Sequence, residues 1–145
     1  MENKRNYVID FDSTFTQVEA LDILGEISLS GDKNKEEKLE ELKSLTDRGM
    51  EGGLSFRESL VERLKLLNAK KEHLEPLIET LKTRISTSFV RNEAFFEENK
   101  DDIYIISNGF KEFIIPIVKE LGLKADHVFA NDFVFDDAGN IISFN

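Results

Sequence analysis

The 145-residue sequence predicts an α/β fold, with parallel strands separated by a long all-helical insert and followed by a β-hairpin. Two short runs and one long stretch carry that expectation. Tyr7-Val8-Ile9 is apolar and β-favouring, and it ends at once on acids, Asp10 and Asp12. Ile103-Tyr104-Ile105-Ile106 repeats the pattern and ends on Ser107-Asn108-Gly109. A continuous apolar run that stops at a polar loop is how a strand buried in a parallel sheet reads. Between the two, from Gln17 to about Arg84, the apolar residues return at helical spacing.

Taken in order, Val18 to Leu24 has helical spacing and Ser30 to Asn34 is a polar break. Lys35 to Thr46 places Leu39, Leu42 and Leu45 on one stripe of an amphipathic helix. Gly49, Gly52 and Gly53 are expected to punctuate the next loop. Ser55-Phe56-Arg57-Glu58 has capping-box form, so a helix should start at Ser55 and run to about Leu67, with Leu60, Leu64 and Leu67 inward. Lys71 to Lys82 is a further helix with Pro76 near its first turn. Glu93 to Asn99 is a short helix. Phe110 to Leu121 is a longer one, with Phe113, Ile114, Ile117 and Leu121 on one face, Pro116 inside the pattern and Gly122 as its stop. Val128-Phe129-Ala130 is a third strand. Phe133-Val134-Phe135 and Ile141-Ile142-Ser143, joined through Asp136 to Asn140, form a hairpin. The expected division is residues 1–16 and 85–145 as the α/β core, with 17–84 as a helical cap.

Hydrophobic residues make up 40% and charged residues 33%, an ordinary globular balance. There is no Cys, which excludes disulfides, thiolate metal sites and a Cys nucleophile. No leader or membrane-spanning run is visible, and a cytoplasmic location is the simplest expectation. The net charge of −10 argues against nucleic acid and anionic membrane as partners.

Within an extended chain, residues i and i+2 point to one side, so Asp10 and Asp12 are expected to face one ligand. Crowded carboxylates repel unless a cation is present. Mg²⁺ suits them, since it takes oxygen ligands, keeps waters and bridges to phosphate. One carboxylate could then attack phosphorus and the other move the proton. By spacing alone, a polar loop capping a helix explains the two acids as well. At the second strand, the Ser107 hydroxyl followed by free amides at a helix start is an anion site, or an ordinary strand-to-helix turn.

The neighbours of these residues narrow the choice. Val8-Ile9-Asp10-Phe11-Asp12-Ser13-Thr14 resembles the first motif of the haloacid-dehalogenase-like (HAD) superfamily, in the form found in its phosphoserine phosphatase branch. Ile105-Ile106-Ser107-Asn108-Gly109-Phe110 resembles the second motif. The insert matches too: Glu19, Met50-Glu51-Gly52-Gly53-Leu54-Ser55-Phe56 and Arg63 fit the helical cap of that branch. The resemblance implies a HAD-like, Rossmann-like parallel sheet and an Mg²⁺-dependent phosphomonoester hydrolase acting through an aspartyl-phosphate. In it Asp10 is nucleophile and metal ligand. Asp12 is acid/base, with its backbone carbonyl on the metal. Ser107, Asn108 and Gly109 cradle phosphate. Glu19 would meet the ammonium of phosphoserine or a similar phosphorylated amino acid, Arg63 its carboxylate, and Met50 and Phe56 would close a dry wall.

The departures matter as much. Asn108 stands where the family has Gly, and Ser86-Thr87-Ser88-Phe89 replaces a Pro-Gly stretch after the cap. The family's third-motif Lys and Gly-Asp-x-x-x-Asp motif have no counterpart: no Lys or Arg follows Lys124, and Asp136-Asp137 reads as the hairpin turn. The expectation is therefore a partial sheet, truncated before the last two motifs. Its first strand would be an open edge available to a second copy or to a segment of another chain. Two alternatives stand beside the phosphatase: an inactive substrate-binding or assembly fragment, and a related phosphatase or phosphotransferase for another small phosphate ester. His73 and His127 have no acids at ligand spacing and read as incidental.

Overall fold

The computed structural model describes residues 5–145. By compactness the chain divides into two units, one formed by residues up to Ala20 with Ile78–Asp132, the other by Leu21–Leu77 with Phe133–Asn145.

The first unit is built on a parallel three-stranded sheet in the order β1 (Tyr7–Ile9), β2 (Ile103–Phe110), β3 (Val128–Asn131). Tyr7, Val8 and Ile9 pair with Ile103, Tyr104 and Ile105. The strands start where the apolar runs placed them, β2 continues past Ile106 to Phe110, and β1 and β3 are the two edges. One face of the sheet is dry: Ile103, Ile105 and Val128 are buried, as are Phe113, Ile114, Ile117 and Val118 of the helix Lys111–Val118. That helix ends in a 3₁₀ turn, Lys119–Leu121, and Gly122 takes the left-handed conformation that stops it, at φ 83°. On the opposite face Val8, Ile106 and Phe129 are each more than half exposed. Val8 pairs with Tyr104 and Ile106 with Phe129, so the apolar stripe is continuous across the strands. Parallel sheets are ordinarily covered on both faces; among the described residues this one is covered on one.

Beside the sheet lies a cluster of rings. Phe15 is fully buried and lies 5.6 Å from Phe11, 5.0 Å from Phe89 and 6.2 Å from Phe96, centroid to centroid. Phe89 belongs to a short helix, Thr87–Arg91, that the sequence did not announce. Ser86 stands before it, its N–H donating to the Phe15 carbonyl at 2.8 Å and its hydroxyl to that of Thr14 at 2.6 Å.

The second unit is helical, with the hairpin β4 (Phe133–Phe135) and β5 (Ile141–Phe144) packed into it. In chain order its principal helices are α1 (Ala20–Ser28, from the junction), α2 (Lys35–Glu51) and α3 (Phe56–Leu67). Ser55 accepts from the Glu58 N–H at 3.1 Å, the expected cap, and Leu60, Leu64 and Leu67 are buried. The hairpin is held by Ile141 N–H to the Ala69 carbonyl at 2.9 Å and Lys71 N–H to that of Gly139 at 2.8 Å. The Arg57 guanidinium sits 4.9 Å from the Phe144 ring centroid. No helix among the described residues is long and apolar enough to cross a membrane.

Gly49 corrects one expectation. It lies inside α2, which continues to Glu51, and the chain leaves the helix only at Gly52, whose φ of 85° admits the turn. A glycine signals a break when local propensity decides; here packing decides. A Cβ on Gly49 would stand 2.8 Å from both Cβ and Oγ of Ser59, so its absence lets α2 and α3 approach. Ser59 is buried, and its hydroxyl donates to the Leu45 carbonyl at 2.7 Å. Gly49→Ala would gain about 1 kcal/mol of helix propensity against an overpacking cost of about 1–3 kcal/mol. A lower melting temperature is expected in a thermal scan; a higher one would mean the helices separate at no cost.

The hairpin turn is built as the sequence proposed. Asp136 Oδ1 accepts from the N–H groups of Ala138 and Asn140, Oδ2 accepts from the Asn140 side chain, and Gly139 has φ 86°. The Asn140 side-chain bond, aided by the backbone N–H groups, holds the Asp136 carboxyl below its ordinary value of 3.8. A depressed carboxylate contributes stability that is complete above the unfolded value and is lost as pH falls through the folded one. The hairpin amides should therefore lose exchange protection below pH 3.8, and Asp136→Ala should remove that pH dependence.

Candidate active site

The first motif is not an extended segment. β1 stops at Ile9, and Phe11–Phe15 forms a single wide helical turn closed by the Thr16 N–H on the Phe11 carbonyl, five residues back, at 3.1 Å. Its two aromatic residues, Phe11 and Phe15, are buried, whereas Asp12 is half-buried and Thr14 exposed. Asp10 and Asp12 are therefore not presented by strand periodicity, because the Phe11 and Phe15 rings stack at 5.6 Å, whereas four residues of extended strand would set them about 13 Å apart. Asp10 lies at the strand end, exposed, with Oδ1 accepting from the Phe11 N–H at 2.9 Å. Asp12 is half-buried, and its Oδ1 accepts from the Ala20 N–H at 2.8 Å, capping the start of α1. The helix-cap reading of Asp12 is thus correct for one of its oxygens.

The other oxygen belongs to a different neighbourhood. A Cβ built on Gly109 would lie 3.1 Å from Asp12 Oδ2, 3.1 Å from Ser107 Oγ and 3.3 Å from Ile114 Cδ1. The turn after β1 therefore meets the end of β2 at a glycine where a side chain would fit only if its neighbours gave by a few tenths of an ångström. Ser107 Oγ accepts from the Gly109 N–H at 2.8 Å. Ser107-Asn108-Gly109 is itself a bulge: Ile106 pairs with Phe129 and Phe110 with Asn131, so three residues of β2 stand against Ala130 alone. Sequence reasoning missed Asn131, whose side-chain amide donates to the Asn108 carbonyl at 2.9 Å. A polar residue at a strand end carries no signal of such a contact.

The donor set suits a hard cation in part. Asp10 and Asp12 supply carboxylate and backbone oxygens of the kind Mg²⁺ takes, with waters and substrate oxygens completing its shell. No group of three or more metal-binding side chains assembles among the described residues.

Glu19 precedes α1 and is half-buried. In the second unit Met50 is on the last turn of α2, 76% exposed, and Phe56 opens α3, 45% exposed. Arg63, two turns further along α3, is only 7% exposed, and its guanidinium lies 5.8 Å from the Phe56 ring centroid. Arg63 is thus no solvated surface residue, and Met50 and Phe56 are not core. The histidines serve the scaffold. His73 Nδ1 accepts from the Lys70 N–H at 2.9 Å. His127 stacks on Tyr104 at 4.2 Å, with its Nδ1 2.9 Å from the Ile103 carbonyl.

No family model matches the chain. Individual relatives do, and they bear out the resemblance carried by the motifs. The chain is 29% identical to a chloroplastic phosphoserine phosphatase of Arabidopsis thaliana over 136 residues, 94% of this chain and 43% of that protein. It is 34% identical to a phosphoserine phosphatase of Archaeoglobus fulgidus over 131 residues, 89% of this chain and 34% of that one. With the phosphoserine phosphatase of Lactococcus lactis the figures are 32% over 133 residues, 90% and 56%. Among solved structures, a phosphoserine phosphohydrolase-like protein from Francisella tularensis superposes with a TM-score of 0.83 at 25% identity, covering 98% of this chain and 65% of that one. A phospho-aspartyl intermediate analogue of phosphoserine phosphatase gives 0.75 at 28%, covering 99% and 64%. The α/β fold is therefore HAD-like, and the chain spans about half the length of the curated relatives it matches.

Proposed function

We propose, on the premise that the chain is a HAD-like relative of the phosphoserine phosphatases, that it carries the nucleophile of a phosphomonoester hydrolase acting on a small phosphorylated amino acid. The observation that carries the reading is the meeting of the two motifs at Gly109, with Asp12 Oδ2 and Ser107 Oγ each 3.1 Å from where a Cβ would stand. That close approach leaves a bare backbone, a hydroxyl and a carboxylate around one point, the arrangement a tetrahedral anion needs beside an acid/base.

In the proposed reaction a carboxylate oxygen of Asp10 attacks phosphorus. The P–O bond to the serine oxygen breaks, and Asp12, entering protonated, gives its proton to that oxygen. Asp12, now a carboxylate, takes a proton from water as the water attacks the aspartyl-phosphate, releasing inorganic phosphate and restoring Asp10. Ser107 and the amides of its bulge bind the equatorial oxygens. Mg²⁺, when bound, supplies charge neutralisation between carboxylate and phosphoryl group; the Asp10 carboxylate and the Asp12 backbone carbonyl would hold it.

Glu19 and Arg63 are the proposed partners of the amino acid's ammonium and carboxylate, with Met50 and Phe56 as apolar cover. The contact of the Arg63 guanidinium with Phe56, 5.8 Å to the ring centroid, supports this by joining the proposed carboxylate clamp to the proposed apolar cover. The test is phosphate release from phosphoserine with Mg²⁺, beside a panel of phosphate esters without a carboxylate. Arg63→Ala should raise KM for phosphoserine on the order of tenfold to a hundredfold, as loss of a charge-assisted pair does, and leave the others unchanged. Equal losses across the panel would remove Arg63 from the substrate. Phosphoserine binding without release would favour the binding-module reading. Pairing along the open edge of β1, by a second copy or a segment of another chain, is the partner reading; a monodisperse monomer in light scattering at high concentration would end it.

A further inference from the structure

We infer that Asn131 is the positioning residue of the anion loop, acting through the Asn108–Gly109 peptide; the inference rests on the phosphatase reading only for the identity of the ligand. A peptide unit is planar and trans, so its C=O and N–H point in opposite directions. Asn131 Nδ2 grips the Asn108 oxygen at 2.9 Å. The Gly109 N–H of the same unit is thereby aimed the other way, where it meets Ser107 Oγ at 2.8 Å, in the neighbourhood that Asp12 Oδ2 also occupies. One side-chain amide thus sets the direction of the backbone donor at the point where the two motifs meet.

The surrounding register explains why a clamp is needed. The bulge is tied to β3 at Ile106–Phe129 and again at Phe110–Asn131, and between these two ties the register shifts. A bulge leaves its extra residues unpaired and free to rotate. Asn131 is both the backbone partner of the second tie and the side chain that reaches back across the gap. Lys111, the first residue after β2, has its ammonium 3.8 Å from the carboxylate of Asp132, the first after β3, so the residues that follow the second tie are joined as well. Asn108 stands where glycine is the rule in the resembling family, and its carbonyl is the group held.

The experiment is ¹⁵N NMR of the free chain, compared with Asn131→Asp, which replaces the donor by an oxygen, and Asn131→Leu, which removes it without adding charge. Both variants should shift the Gly109 amide and speed its exchange about tenfold, the change expected for one lost hydrogen bond. Amides of Val128–Ala130 and of Phe113–Val118 should stay put. An unmoved Gly109 amide in a folded variant overturns the inference, and if Asn131→Asp does not fold, Asn131→Leu decides it. Orthovanadate titration separates the two readings. Binding by the wild type, weakened about tenfold in both variants, supports the loop as an anion site. A wild-type chain that takes up no vanadate counts against the proposed function, while the amide readout still decides the role of Asn131.

Discussion

Asp10→Asn is expected to leave the chain folded and to abolish phosphate transfer. The residue is exposed and its bond to the Phe11 N–H uses one oxygen, which asparagine keeps, so the melting temperature should hardly move. The chemistry has no such tolerance. A carboxamide oxygen is a poor nucleophile for phosphorus and leaves no stable acyl-phosphate, and removing a covalent nucleophile costs on the order of 10⁶ in turnover where it has been dissected. Acid-quenched mass spectrometry after exposure to phosphoserine and Mg²⁺ should find phosphate on the peptide containing Asp10 in the wild type and none in the variant. Phosphate still incorporated by the variant would move the nucleophile elsewhere.

The largest stability effect is expected at Phe15. Truncation to alanine removes a fully buried ring that touches three others, and such a loss costs about 3–5 kcal/mol. It should be felt twice. Phe11 and Phe15 hold the wide turn that carries Asp12, so the cap on the Ala20 N–H should loosen along with the core. Chemical denaturation should show the lower midpoint, and Ala20 amide exchange should rise even well below that midpoint. Leu would serve as the control, because it keeps most of the volume.

Much of this was legible in the residues. The strands, the capped start of α3, the hairpin and its Asp136 turn all follow from short-range patterns, since adjacent residues decide them. What stayed illegible was decided at long range. Gly49 reads as a loop residue until Ser59 is seen against it. Asp10 and Asp12 read as a strand pair until the stacking of Phe11 on Phe15 is seen to coil the chain between them. The packing of the hairpin among helices, through Ala69, Lys71 and Arg57, depends on contacts that no local pattern announces. The site shows the same split: Ser107 and Gly109 are visible as a motif, whereas Asn131 is visible only once β2 and β3 are in register.

The pairing of Tyr7 with Ile103 also orders events in time. β1 has three residues and a single neighbouring strand, yet its partner lies across the whole insert. Bringing such distant ends together costs chain entropy on the order of 4 kcal/mol before any contact repays it. Helices that form locally within the insert shorten that gap, and β2 and β3, closer in sequence, can pair first. β1 is then the last strand to dock and the first to detach. Asp10, which rides on its end, is then expected to reach β2 only when the remainder of the sheet already exists, which would withhold the proposed nucleophile from partly folded chains.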